Sequence, residues 1–209
     1  MSQSKCGPAY RIETPRLLAR CLNPDDAEMF CETIDENLSH LRPWMSWTRH
    51  EPRSLDERVE RLRQLRSYFD QGRDFVYGIF DPEESRLIGA AGLQTRVGRR
   101  ARELAYWIHR DLTGKGLASE MTAALVRVAF EVDDVERVEI HCPPRNVASR
   151  AIPEKLGFQH EATLRRRRST AEGHHRDLMI WTLFPWDYRK SPARQAQVRA
   201  YDAIGRSLL

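Results

Sequence analysis

Between Ser54 and Gly72 the apolar residues fall at Leu55, Val59, Leu62, Leu65 and Phe69, steps of three and four that place them on one face of a helix. Ser54 and Glu57 supply a capping box for its first turn, and Gly72 supplies its stop. A looser pattern of the same period, Ala27, Phe30 and Ile34, follows Asn23-Pro24-Asp25-Asp26, which offers an N-cap, a helix-entry proline and first-turn acids. A third helix is predicted from Gly116, with Met121, Leu125, Val128 and Val132 on one face and an end near Asp133-Asp134. A fourth, short helix runs from an Asn146 cap to Leu156-Gly157, and Pro153 within it predicts a kink or a restart.

Extended apolar runs fill the intervals. Strands are predicted over Arg16 to Leu22, Asp74 to Phe80, Leu87 to Leu93 and Glu103 to Ile108. Further strands follow over Arg137 to Cys142, Gln159 to about Arg166, and His175 to Phe184. Gly89 and Gly92 inside one of them indicate a bulge or a close backbone approach. The close spacing of the middle strands argues for antiparallel pairing, and strand–loop–helix–strand from Glu103 to Cys142 argues for one parallel crossover. The expected fold class is α+β, a mostly antiparallel mixed sheet with helices on both faces. One domain over residues 10–186 is expected, after a loose leader at 1–9. A basic tail at 187–209 should be helical from Ala193 to Ile204.

Composition narrows the class. In 209 residues 41% are hydrophobic and 31% charged, enough for a sizeable core. There is no run of about 18 apolar residues for a membrane span and no apolar leader, so a cytoplasmic protein is expected. Four scattered cysteines (Cys6, Cys21, Cys31, Cys142) favour reduced thiols over disulfides or a zinc site. The net charge of +4 allows an anionic cofactor, an acidic partner or nucleic acid without choosing among them.

The chemistry concentrates in Thr113-Gly114-Lys115-Gly116-Leu117-Ala118, between a strand and a helix. Such a loop bares backbone N–H groups at the positive end of the helix dipole and suits a phosphate. Lys115 is followed by glycine rather than Ser or Thr, so the P-loop pattern fails; Ser119 stands where a dinucleotide fingerprint needs its third glycine. The remaining pattern, Q/R-x-x-G-x-G/A, is that of the GNAT acetyltransferase superfamily, matched here except at Thr113.

With Glu103-Leu-Ala-Tyr-Trp-Ile108 before the loop, and Asn146-Val-Ala-Ser149 and Glu154-Lys-Leu-Gly-Phe158 after it, the chain resembles that superfamily. Arg11-Ile-Glu-Thr-Pro-Arg-Leu17, Leu41-Arg-Pro-Trp-Met-Ser-Trp47 and Gly173-His-His-Arg-Asp177 are similar to segments of its RimJ/RimL-like branch, which acetylates ribosomal-protein N-termini. The resemblance implies the GNAT acyl-CoA N-acyltransferase fold and acetyl-CoA as cosubstrate. Thr113, Gly114, Lys115, Gly116, Leu117 and Ala118 would hold the pyrophosphate. Tyr106, Trp107 and Ile108 would pair with the pantetheine amides from a strand that splays from its neighbour, and Asn146 would bond the pantetheine arm. Ser149 would protonate the leaving thiolate, and Glu103 could take the amine proton through water. No cysteine occupies a motif position, so direct transfer is expected.

Each of these residues also has a plainer reading. Asn146 can be only an N-cap, Ser149 an ordinary first-turn residue, and Glu103 a strand charge facing Arg102 or Arg137. Trp44 and Trp47 can be loop anchors or can line an acceptor pocket. His174 and His175, adjacent on a strand, point to opposite faces and do not suggest a metal site. The Arg165 to Arg168 run is expected to be a solvated hairpin end, with steering toward an acidic acceptor or rRNA as the sharper alternative. The expected acceptor is a protein N-terminal amine, in a protein that needs no membrane, meets nucleic acid only through the ribosome and could form a homodimer. A small amine such as an antibiotic, a non-catalytic acyl-CoA sensor and an RNA-binding protein are the alternatives.

Overall fold

Among the described residues nine strands form one sheet: β1 (Arg11–Glu13), β2 (Leu18–Cys21), β3 (Asp74–Phe80), β4 (Leu87–Gln94), β5 (Ala101–Ile108), β6 (Arg137–Cys142), β7 (Gln159–Ser169), β8 (His175–Leu183) and β9 (Arg199–Tyr201). Their order across the sheet is β7-β8-β6-β5-β4-β3-β2-β1-β9. The computed structural model describes residues 8–209, so the expected leader lies outside the described residues up to position 7. Every neighbouring pair is antiparallel except β5 and β6, which helix α3 (Leu117–Glu131) connects as the expected crossover.

Helices α1 (Ala27–Leu41) and α2 (Leu55–Asp70) cover one face, where Phe30, Ile34 and Leu62 pack on Leu18, Phe80, Ala90 and Trp107. The other face carries α3 and α4 (Val147–Lys155), with Met121, Leu125 and Val128 on Leu104, Ile108, Val138 and Ile140. The alternation along β5 therefore decides its geometry: Glu103, Ala105 and Trp107 look toward α1 and α2, and Leu104, Tyr106 and Ile108 toward α3. The Ser54 capping box is formed, with the Glu57 N–H donating to Ser54 Oγ at 3.3 Å.

Three expectations change. The strand expected from Arg16 begins at Leu18, because Pro15 cannot donate to a ladder and Thr14 turns the chain, its N–H bonding the Leu17 carbonyl at 2.9 Å. The segment before it forms the separate strand β1. The tail is not helical from Ala193 to Ile204. After a short helix α5 (Pro185–Tyr188) and a 3-10 turn at Pro192–Gln195, β9 pairs with β1, opposing Arg11 with Tyr201 and Glu13 with Arg199. The cause is tertiary: β1 would otherwise present unpaired backbone groups at the sheet edge, and β9 satisfies them while burying Ala200 completely. Last, α4 runs through Pro153 without a break.

The tail is thus part of the sheet. Ala200→Asp should bury a carboxylate among Ile12 and its neighbours and destabilise the protein by about 2 kcal/mol or more, read as a lower urea midpoint. A midpoint equal to the wild type would show that β9 contributes nothing to stability.

Candidate active site

The site begins where two strands part. Pairing of β5 with β6 matches Ala101 with Arg137, Arg102 with Val138 and Glu103 with Glu139, and ends there. From Leu104 to Ile108 the edge of β5 that faces β6 has no strand partner among the described residues. β5 instead follows β4 as far as Ile108 opposite Gly89. That approach requires glycine, since a Cβ at Gly89 would lie 2.2 Å from the Trp107 carbonyl oxygen. The His109 N–H then donates to the Ile88 carbonyl at 2.7 Å and holds the end of β5 on β4.

Charged groups pin the fork. Glu103 is buried and accepts from Arg96 Nε at 2.6 Å and Arg96 Nη2 at 2.5 Å, a bidentate clamp from the β4–β5 turn. Arg168 of β7 lies 3.4 Å from Glu103, His141 Nδ1 lies 3.5 Å from the same carboxylate, and His141 Nε2 lies 2.7 Å from Glu139. Burial raises the Glu103 carboxyl, but the Arg96 hydrogen bonds and the charges of His141, Arg96 and Arg168 outweigh it and hold the group below the usual carboxylate range. Of the Arg165 to Arg168 run, the first three are exposed and only Arg168 turns inward. A bulge between Leu164 and Arg168, with Arg166 at φ 50°, breaks the simple alternation that strand geometry predicts.

The glycine loop passes twice through left-handed backbone, which glycine adopts without strain. Gly114 and Gly116 have φ of 75° and 79°, and Gly116 serves as the N-cap of α3 without any side-chain cap. The first-turn N–H groups of α3 have no intrahelical acceptors, by helix geometry. The Thr113 hydroxyl donates to the Arg110 carbonyl at 2.8 Å, and Lys115 is exposed. Two braces escaped the sequence reading. Arg16 donates to the Lys115 carbonyl at 3.0 Å and pairs with Glu120 at 2.6 Å. From α1, Asn37 Oδ1 accepts the Arg110 N–H at 2.7 Å and Glu36 meets the buried His109 at 3.0 Å. These partners are 73 to 104 residues apart, so no local pattern announces them.

The N-terminus of α4 closes the opposite wall. Asn146 Oδ1 accepts the Ser149 N–H at 3.2 Å, which makes the cap real and leaves its amide nitrogen for another partner. The Tyr106 hydroxyl donates to the Ser149 carbonyl at 3.1 Å and lies 3.3 Å from Ser149 Oγ. Pro153 explains that contact: residue 153 is four beyond Ser149, and its missing N–H leaves the Ser149 carbonyl for Tyr106. Burial pushes the Tyr106 hydroxyl well up, and the Ser149 hydrogen bond only partly opposes this. Cys142, at the end of β6, also feels the Ser149 hydroxyl, and burial pushes its thiol up to about 11. It had not stood out in the sequence.

On the α1–α2 face a cavity of about 490 Å³ reaches this strand. Phe30, Leu62, Val76 and Ala90 line it together with Ala105, Tyr106 and Trp107, and Trp47 stands at its wall. Trp44 lies outside that lining, with the Arg176 guanidinium 5.8 Å from its ring centroid and the same side chain bonded to the Pro43 carbonyl. The two tryptophans therefore separate.

The clamp on Glu103 has a testable consequence. A carboxyl held low in the folded state contributes stability above its unfolded pKa, near 4.3, and loses that contribution as pH falls through the lower folded value. Glu103→Gln should cost about 1–3 kcal/mol at neutral pH, with the gap from wild type narrowing below about pH 4 in thermal melts. A gap that stays constant down to pH 3 would refute the clamp.

Comparison with known proteins bears on this geometry. A family model described as an acetyltransferase (GNAT) domain matches residues 16–159. The [ribosomal protein uS5]-alanine N-acetyltransferase of Escherichia coli K12 is 31% identical over 157 residues, covering 74% of this chain and 80% of that one. The ribosomal-protein-S5-alanine acetyltransferase of Vibrio fischeri superposes with a TM-score of 0.75 at 22% identity, over 85% of this chain and 98% of that one. Mycobacterium smegmatis RimJ, solved in complex with CoA-disulfide, gives 0.76 at 23% identity over 90% and 91% of the two chains. The open edge of β5, the positive-φ glycine loop and the capped start of α4 fit the pantetheine and pyrophosphate of such a donor. The chain belongs to the GNAT superfamily and is an acetyl-CoA-dependent N-acetyltransferase with RimJ/RimL-type relatives.

Proposed function

We propose that this enzyme transfers the acetyl group directly to the α-amino group of a protein N-terminus, in the cytoplasm and on a ribosomal protein. One observation carries the reading: Tyr106 sits on the open edge of β5 with its side chain toward α3 and α4, and the same residue also borders the cavity on the α1–α2 face. Donor slot and acceptor cavity meet at that residue. The kinship with the uS5-alanine enzyme supports a peptide amine as the occupant of the cavity.

In this reading the backbone of Thr113 to Ala118 holds the pyrophosphate. The β6-facing edge at Tyr106, Trp107 and Ile108 pairs with the pantetheine amides, and the Asn146 amide nitrogen bonds the arm. The amine nitrogen forms its bond to the acetyl carbon as the carbon–sulfur bond breaks. Ser149 relays a proton to the departing thiolate and recovers its own from solvent in the same step, and Tyr106 keeps the Ser149 hydroxyl in place. An α-amino group titrates at about 7.7–8.0, so a useful neutral fraction exists near neutrality and the released proton passes to solvent. Glu103, clamped by Arg96 and held low, is a poor base; its part is to anchor the fork.

The test is CoA release over a panel of N-terminal peptides and small amines. Turnover with peptides is expected; turnover with small amines alone would replace this reading by a small-molecule one. Ser149→Ala should lower kcat by roughly 10- to 100-fold with the acetyl-CoA KM little altered. Cys142→Ala should keep kcat within about threefold, because a thiol raised to about 11 is scarcely ionised near neutrality. A hundredfold loss in Cys142→Ala would overturn direct transfer.

A further inference from the structure

The apolar cavity on the α1–α2 face carries an unbalanced charge. Four guanidiniums line it, Arg49, Arg53, Arg58 and Arg61, against a single carboxylate, Glu51. Glu51 is buried and already engaged, 2.6 Å from Arg58 and 3.4 Å from Arg53. With His50 neutral, the lining holds three more positive than negative charges. On α2, Arg58, Arg61, Leu62 and Leu65 follow the three- and four-residue spacing of one helix face, so two arginines stand where the core-facing pattern calls for apolar residues.

These cations are only partly answered: Arg58 pairs with Glu51 and lies 5.1 Å over the Phe30 ring centroid, and Arg53 shares the same carboxylate. Arg58 is 4% exposed, and its Nε has no hydrogen-bond partner although the Glu51 pair occupies Nη2. Arg61 Nη1 donates to Gln64 Oε1, a neutral acceptor, at 2.5 Å. Burial lowers the Arg61 pKa, and the neighbouring charge of Arg53 lowers it further. Arg49 Nε donates to His50 Nε2 at 3.1 Å rather than to a carboxylate. Gathering guanidiniums in a partly desolvated cavity is costly unless an anion answers them. Planar guanidiniums match a carboxylate in bidentate geometry.

We propose that the cavity selects an acceptor whose amine sits close to a carboxylate, presented by an acidic N-terminal peptide or by a small amino acid. The carboxylate sits against Arg61 and Arg53 while the amine reaches toward Tyr106. This rests on the cavity being the acceptor site, and it adds the chemical class that the site takes.

Paired peptides test it: one starting Ala-Asp-Asp, its partner starting Ala-Asn-Asn, with glutamate as the small-molecule arm. The acidic peptide should show kcat/KM about tenfold above its amide twin, mostly through KM, with the ratio shrinking at high salt. Arg61→Gln should cut that ratio at least threefold, and Arg61→Lys, which keeps the charge but not the bidentate fork, should cut it less than Arg61→Gln does. Arg165→Gln, on the exposed end of β7, should leave the ratio unaltered. A wild-type ratio near one overturns the proposal, and so does a ratio indifferent to Arg61→Gln or equally reduced by Arg165→Gln. Acetylation of glutamate alone, sensitive to Arg61→Gln, supports the small-molecule source. If none of these releases CoA, the acetyl-transfer reading of the cavity fails separately. The selection is then read by equilibrium binding of the two peptides to the CoA-loaded protein. Tighter binding of the acidic twin supports it and equal affinities overturn it.

Discussion

The rest of the site depends on the parting of β5 from β6 after Glu103 and Glu139. A parallel pair in the middle of a sheet would ordinarily continue, because each lost rung leaves backbone polar groups to be satisfied elsewhere. Two local facts make separation affordable here. Gly89 lets β4 draw the end of β5 toward itself, and the buried Glu103 ties the fork to Arg96, His141 and Arg168 on three different segments. Without the first, β5 would have no reason to lean away. Without the second, two half-attached strands would be free to close or fray. The unpaired edge that results is a template for an extended ligand bearing amides, which describes pantetheine.

The wall opposite that edge owes its chemistry to a proline. Within an ordinary helix the Ser149 carbonyl would be consumed by the N–H four residues on. Pro153 removes that donor, and Tyr106 takes the carbonyl instead, which also brings its hydroxyl to Ser149 Oγ. A residue that weakens α4 as a helix thereby joins α4 to β5 beside the open strand edge. The helix survives the proline because Asn146 caps its start and Ile152 and Pro153 are buried against its neighbours. Local sequence reasoning treats such a proline as a defect; the three-dimensional context uses it as a vacant acceptor.

What could be read from the sequence follows from the range of each interaction. Amphipathic periodicity, the Ser54 capping box, the spacing of the loop glycines and the Asn146 cap are local, and the helices, the crossover and the glycine loop were legible from them. The β9 strand was not, since nothing in Arg199–Tyr201 announces that β1, far away in the chain, needs an edge partner. The Arg165 to Arg168 run showed its solvated part but not the turn of Arg168 toward Glu103, which needs a bulge and a partner 65 residues distant. Glu103 itself was visible as a candidate; its bidentate clamp, which alters its chemistry from base to anchor, was not.

Thr113 illustrates how a departure from the superfamily pattern can be absorbed. A long polar side chain at that position would add a donor to the loop, and its loss would matter if side chains held the phosphate. In the proposed binding mode the donors are the backbone N–H groups at the start of α3, beside the positive-φ residues Gly114 and Gly116. The work left for side chains is to keep the loop in that shape. Thr113 does part of it by closing on the Arg110 carbonyl, Asn37 by fixing the Arg110 N–H, and Arg16 by gripping the Lys115 carbonyl from the β1–β2 turn. Glu120 in turn fixes Arg16, so the brace is anchored in the helix it supports. The loop's competence is therefore distributed over α1, the β1–β2 turn and α3, and a single position in the motif is a weak guide to it.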